Sequence, residues 1–184
     1  PGYQQYRPRE ERDYTIGPAA HNAPVIGGCG QSAFAGCLEE LVDEPARLQA
    51  VFDLTRCYRE LPAGASVRRR IEVAAGKAPN LTVTDELSGF LPGTGITIHW
   101  LGGAHLAWSW VDGWARLSDG RHALWLGLAG VRLEPGDLVR HPGSRGPLAF
   151  GYKTSLPTGA ACLSWTLRAE TDAGWKPPTA PKLE

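Results

Sequence analysis

The chain has 184 residues, and its nineteen basic and nineteen acidic side chains give a formal net charge of zero. This length suits one domain with a substantial buried core, and the charge balance excludes recognition of nucleic acid or of an anionic membrane through an overall field. No apolar run is long enough to span a membrane, and the first residues lack the apolar centre of a signal peptide.

The N-terminal part of the chain changes character after residues 1–25. Those residues are polar and contain four prolines, which predicts an extended arm. Beyond them, apolar residues recur at three- and four-residue steps, as in a helix with one buried stripe. Pro45 suits the first turn of a second helix. The sequence therefore predicts a helical part over residues 30–61.

After this part the apolar period switches to two, which predicts a β-rich part over residues 66–169. Helices followed by antiparallel strands indicate an α+β domain over residues 26–172. Residues 173–184 contain three prolines and are predicted to form a flexible C-terminal extension. The strands are predicted at residues 67–73, 81–83, 96–100, 106–110, 122–128, 131–133, 137–139, 148–153 and 161–167.

A hairpin is predicted where two alternating runs meet at Asp112-Gly113, and Asp119-Gly120 predicts a second turn. Pairing outward from the first turn sets Val111 against Trp114 and leaves His105 diagonal to Asp119. An imidazole beside a carboxylate is the base and the orienting group of nucleophilic catalysis.

A nucleophile for this pair is predicted at Cys29, which lies among glycines just before the helical pattern. Unpaired N–H groups at a helix N-terminus favour a thiolate and can hold an oxyanion. Two structural alternatives stay open, because Cys29 could instead pair with Cys37 or be a small buried residue. Cys37 is also a rival nucleophile, although its stripe position directs it towards the core.

Other chemistry has weaker support in the sequence. His122 and Asp137 form a rival pair with similar spacing, but Pro135 would interrupt their ladder. The four cysteines permit two disulfides in a secreted protein or four free thiols in a reducing compartment. Their spacing fits no zinc pattern, so no metal or other cofactor is predicted.

The region around Cys29 and the later block from Ile98 to Asp119 resemble papain-like cysteine proteases, and in particular the leader proteases of aphthovirus-type picornaviruses. The C-terminal residues resemble that family's self-processed extension. The matching residues are Cys29, Ala33, Val42-Asp43-Glu44-Pro45, Leu101-Gly102, His105, Ala107, Gly113-Trp114, Asp119, Gly174-Trp175-Lys176 and Lys182-Leu183.

The resemblance implies a papain-like fold and a cysteine endopeptidase. Cys29 would be the nucleophile, His105 the general base and acid, and Asp119 the orienter of the imidazole, in an acyl-enzyme mechanism. The residue after the nucleophile is Gly30 where the family has tryptophan, and Asn22 is the nearest amide for the oxyanion hole.

The same resemblance implies a viral protein in the host cytoplasm that frees itself from a polyprotein. Its partners would be polypeptides: its own polyprotein, host translation proteins or ubiquitin-like conjugates, and its own tail in the cleft. Neither a cofactor nor a nucleic acid nor a membrane is implied.

Two further functions fit the residues. A transglutaminase-like or arylamine-acetyltransferase-like enzyme also uses Cys, His and Asp in this order. A secreted β-rich binding domain with two disulfides would use its seven tryptophans for core and recognition.

Overall fold

The structure, a computed structural model, describes residues 17–32, 34–75, 80–103, 105–133, 137–139 and 149–170. Its secondary structure is almost entirely β, with two short 3-10 helices at Pro18–Ala20 and Thr55–Cys57. The strands are β1 (Pro24–Ile26), β2 (Cys37–Glu44), β3 (Arg47–Asp53), β4 (Ser66–Ala74), β5 (Asn80–Ser88), β6 (Thr94–Leu101), β7 (Ala107–Val111), β8 (Trp114–Ser118), β9 (Ala123–Leu128), β10 (Asp137–Val139), β11 (Ala149–Leu156) and β12 (Ala161–Ala169).

The strands form two antiparallel sheets of unequal width. The smaller sheet has the order β1-β6-β11-β10, and the larger has the order β2-β3-β4-β5-β12-β9-β8-β7. The last strand, β12, therefore lies inside the larger sheet, between β5 and β9.

The core lies between the two sheets, as in a β-sandwich. Trp165 of β12 is fully buried, with its ring centroid 5.4 Å from that of Trp100 and 5.5 Å from that of Tyr152. Phe150 of β11 contacts Trp108 and Trp110 of β7 in the same way. The aromatic side chains of the alternating runs thus pack the two sheets together. Truncating one such buried residue to alanine typically lowers the free energy of unfolding by roughly 3–5 kcal/mol.

The predicted α+β, papain-like fold is wrong. Within residues 30–61, predicted to be helical, the structure has β2 and β3 with a hairpin turn at Pro45-Ala46, followed by the short 3-10 helix Thr55–Cys57. The physical reason for the misleading period is a β-bulge between Leu38 and Glu40. An extra residue in a strand moves the next side chain to the opposite face, so Leu38 and Leu41 share a face at a helix-like spacing.

The hairpin prediction is confirmed. β7 and β8 pair with Val111 opposite Trp114, around a turn in which Asp112 and Gly113 both have positive φ. The second predicted turn also occurs, between β8 and β9. The predicted extension at 173–184 and most of the predicted arm lie outside the described residues, although β1 already begins at Pro24.

No helix in the described part of the chain is long and apolar enough to cross a membrane.

Candidate functional site

Cys29 lies on a tight turn rather than at a helix start. Gly27 and Gly28 both have positive φ, and Ile26 and Cys29 exchange two backbone hydrogen bonds of 2.9 Å across them. Consecutive glycines favour such a two-residue turn because they adopt positive φ without steric cost. The helix dipole that would favour a Cys29 thiolate is therefore absent at this position.

The Cys29 side chain lines a cavity of about 160 Å³ beside the turn. Its Sγ lies 4.0 Å from Oε2 of Glu60. Leu61, Phe90 and Leu91 supply apolar parts of the wall. A thiol here faces a carboxylate and not an imidazole.

Asp119 uses its carboxylate to close the β8–β9 turn. Its Oδ1 accepts hydrogen bonds from the backbone N–H groups of Arg121 (2.8 Å) and His122 (2.7 Å), and its Oδ2 lies 3.4 Å from Nδ1 of His122. These bonds to His122 and Arg121 lower the pKa of Asp119 to about 2. The imidazole beside Asp119 is thus that of His122, in the turn, and not that of His105.

His105 lies in the segment that joins β6 to β7. The N–H of Leu106 bonds to the carbonyl of Gly103 (2.9 Å), and the exposed His105 ring lies against Gly103. A Cβ at position 103 would stand 2.8 Å from a carbon of that ring, so only glycine leaves room for this orientation.

The structure places Cys29 and His105 at opposite ends of β6. The turn of Cys29 is bonded to the first residues of the strand, because Gly27 N–H donates to the carbonyl of Gly95 (2.8 Å). His105 follows the last residue, Leu101. Six residue steps of about 3.3 Å separate Gly95 from Leu101 by about 20 Å. The two predicted residues are therefore not brought together.

Asn22, predicted as an oxyanion group for Cys29, lies at the His105 end of β6. Its side-chain Oδ1 accepts a 3.0 Å hydrogen bond from the N–H of Leu101, just beyond the β1–β6 ladder. The next residue towards the N-terminus is His21, which is exposed. Asn22, His21 and His105 thus share one end of the smaller sheet.

A buried polar network holds the backbone of this end. The guanidinium of Arg69 makes two hydrogen bonds, of 2.7 and 2.9 Å, to the fully buried carboxylate of Asp85, and a third of 2.7 Å to the carbonyl of Asn22. The hydroxyl of Tyr58, which is 4% exposed, donates to the carbonyl of Pro24 at 2.8 Å. Burial raises the pKa of Tyr58, which keeps this donor protonated.

A third histidine lies two residues before the end of β6. His99 is opposite Gly151 on the face of the smaller sheet that points away from the core. Its burial, with a further contribution from Lys153, lowers the pKa of His99. Its Nδ1 has no hydrogen-bond partner among the residues that the structure describes. Three imidazoles therefore lie on or beside one strand end.

Outside this end, a groove of about 130 Å³ lies on the outer face of the larger sheet, beside Trp114 and Thr166.

Sequence reasoning did not assign His21 to the site and did not predict the network beneath it. The sequence did contain a signal for this network, since Arg69 and Asp85 each occupy an apolar position of an alternating run. Arg69 lies between Val67 and Ile71, and Asp85 lies between Val83 and Leu87. A charged residue on the apolar face of a strand indicates a buried ion pair or a functional site. The opposite signs of Arg69 and Asp85 predict their pairing, but only the register of β4 and β5 sets them side by side.

Neither a protein-family model nor a curated protein sequence matches the chain. Similar solved structures exist. The crystal structure of the heparan sulfate lyase HepC from Pedobacter heparinus matches with a TM-score of 0.67 and 10% identity, over 96% of this chain and 28% of the lyase.

Two structures described as heparinase III are also similar. One matches with a TM-score of 0.63 and 12% identity, over 91% of this chain and 27% of the other. The second has a TM-score of 0.57 and 13% identity, over 87% of this chain and 25% of the other. The chain thus spans about a quarter of the length of these proteins, and the likeness establishes the β-sandwich fold.

Proposed function

We propose that this chain is the β-sandwich module of a polysaccharide lyase, and that the end carrying His21, Asn22 and His105 contacts the polysaccharide. Support from the fold is the likeness to a heparan sulfate lyase and to a heparinase III over almost the whole chain. The observation that carries the proposal is the loop at His21 and Asn22, which a buried ion pair and a buried tyrosine hold in place. A buried polar network lowers the stability of the fold unless all of its groups are hydrogen-bonded. Here hydrogen bonds of the network hold the backbone of an exposed segment in place.

The side chains at this end suit the chemistry of an elimination. A lyase of this kind removes the proton next to a uronate carboxylate and protonates the departing sugar oxygen. Imidazole can act as base or acid near neutral pH, because its ordinary pKa is about 6.5. His21 is the group we assign to proton transfer.

Asn22 would orient the bound sugar. Its Oδ1 is engaged by the N–H of Leu101, which fixes the amide plane. The amide nitrogen then points away from Leu101 and can donate to a sugar hydroxyl or carboxylate. Since the chain has no net charge, we expect such local contacts to dominate over a long-range field.

The test is binding of heparan sulfate oligosaccharides to the 184-residue protein, followed by NMR of the histidine side chains. We expect the resonances of His21 and His105 to shift, and His21→Ala to weaken binding about tenfold, as for loss of one hydrogen bond to a charged group. His122→Ala is the control, because its side chain is 86% exposed on the larger sheet. Absence of binding, or equal losses in both variants, would overturn the proposal.

The cysteine endopeptidase function stays a prediction, and the geometry supports it less well. In its favour, the Cys29 thiol lines a cavity. Against it, His105 lies at the far end of β6 and Asp119 bonds to His122. All four cysteines are free, so the structure gives no support to the disulfide-bonded binding domain.

The other residues predicted from the sequence lie on other parts of the fold. Cys37 is exposed on β2, and His122 and Asp137 are on strands or turns of different sheets. The transglutaminase-like or acetyltransferase-like alternative uses the same separated Cys29, His105 and Asp119.

A further inference from the structure

The larger sheet extends beyond the smaller one at its β2 edge. Every residue of β2 except Val42 is exposed. Leu38 and Leu41 of β2 are 51% and 59% exposed, and Leu48 of the neighbouring β3 is 45% exposed. Among the described strands, β2 pairs on one side only, with β3. Its second row of backbone N–H and C=O groups therefore has no partner strand in the described part of the chain.

The three leucines lie on the same face of the sheet. Leu38 is opposite Phe52, and Leu41 is opposite Ala50. Phe52 is in turn opposite Arg69, whose side chain points between the sheets to Asp85. The leucines thus continue the core face beyond the cover of the smaller sheet, which is how apolar interaction sites are built.

The edge itself is strongly acidic. Four of the eight residues of β2 are Glu39, Glu40, Asp43 and Glu44, and none is basic. Glu40 and Glu44 share the face opposite to the leucines, as their partners Val51 and Arg47 do. Asp43 is opposite Leu48 and shares the leucine face, so one face of β2 carries two leucines and a single carboxylate, whereas the other carries Glu40 and Glu44.

This pattern argues against a second copy of the chain as the occupant. In the antiparallel register centred on Val42, two β2 strands would set Glu40 opposite Glu44, and like charges directly opposite are destabilising. A strand that alternates apolar and basic residues would instead place its apolar side chains beside Leu38 and Leu41. Its basic side chains would then face Glu40 and Glu44.

We propose that β2 is a docking edge for an extended partner segment that alternates apolar and basic residues. The segment adds a ninth strand to the larger sheet through backbone hydrogen bonds, as in other cases of strand addition. Charge complementarity selects the partner, and the leucines supply the apolar contact. This proposal does not depend on the function proposed for the His21 end of β6.

The test uses a capped peptide as long as β2 that alternates leucine and lysine, compared with one that alternates leucine and glutamate. We expect the lysine peptide to slow amide exchange in β2, measured by NMR, and to bind at least about tenfold more tightly than the glutamate peptide. Glu44→Lys should reduce this preference. Glu60→Lys, with the same charge change in an exposed loop, is the matched control.

Three outcomes would overturn the proposal. The first is unchanged exchange in β2 with either peptide. The second is equal binding by both peptides, or equal effects of Glu44→Lys and Glu60→Lys. The third is concentration-dependent self-association in light scattering that Glu44→Lys alters, since this would identify a second copy as the occupant.

Discussion

Asp85 is a carboxylate with no exposed surface, and Arg69 is the side chain that compensates it. The two side chains meet through two parallel N–H···O bonds, the geometry in which a guanidinium binds a carboxylate most strongly. The third bond of Arg69 goes to the carbonyl of Asn22. One ion pair thus links the middle of the larger sheet to the end of the smaller one.

We predict that Asp85→Ala destabilises the protein by about 3–5 kcal/mol, because it leaves the Arg69 charge mostly buried and unpaired. The free energy of unfolding in urea measures this. The double variant Asp85→Ala/Arg69→Met should recover part of the loss. As the exposed control, Glu39→Ala breaks the Glu39–Arg68 pair and should cost no more than about 1 kcal/mol. Similar losses of unfolding free energy in Asp85→Ala and Glu39→Ala would contradict a special contribution of the buried pair to stability.

The four thiols differ in access and environment. Cys37 and Cys162 are exposed, Cys29 is half-buried, and Cys57 is buried. Burial, with a smaller contribution from Asp53, raises the pKa of Cys57. A raised pKa leaves less of the reactive thiolate at a given pH.

We therefore predict that iodoacetamide modifies Cys37 and Cys162 first and Cys57 last, as followed by peptide mass spectrometry. Without a helix N-terminus, Cys29 has no structural reason to react ahead of the exposed thiols. Preferential modification of Cys29 at mildly acidic pH would contradict this order and would favour the endopeptidase prediction.

At the scale of the secondary-structure elements, the β7–β8 hairpin was predictable because its signals are local. Asp112-Gly113 supplies the positive φ angles of the turn, and the flanking alternation fixes which residues face the core. β2 was mistaken for a helix because its bulge gives Leu38 and Leu41 a helix-like spacing. β3 was mistaken for a second helix because its apolar residues lie on both faces, with Leu48 and Phe52 on one and Val51 on the other. A bulge follows from pairing with a partner strand, which residue spacing does not reveal.

Gly113 and Gly120 allow the contribution of turn geometry to stability to be measured separately from the contribution of a tertiary contact. Both have positive φ, but a Cβ at Gly113 would stand 2.6 Å from Cγ of Arg132, whereas nothing lies within 4 Å at Gly120. We predict that Gly120→Ala costs about 1–2 kcal/mol from backbone strain alone. Gly113→Ala should cost more, because Arg132 must also move. Thermal unfolding measures both, and equal losses would mean that Arg132 shifts without cost.

At the scale of the whole molecule, the candidate site depends on pairings that no local pattern specifies. Asn22 and His105 are separated by most of the chain's first half, and β6 brings them together by pairing with β1. The same strand keeps Cys29 away from His105, which the sequence could not indicate. Residue types name histidines and amides as candidates, and the order of strands in the sheet decides which of them lie at the same end.

The position of β12 has a consequence for how the protein is made. β12 is the last described strand in the sequence, yet it joins β5 to β9, and its Ser164 bonds to Thr84 across 80 residues of chain. Pairing between such distant segments is slow, and synthesis proceeds from the N-terminus. Until residues 161–169 leave the ribosome, β2–β5 and β7–β9 are separate half-sheets, each with an open edge where β12 belongs. Completion of the larger sheet therefore has to wait for its final strand, and until then we expect the facing edges of β5 and β9 to be open to pairing with other chains.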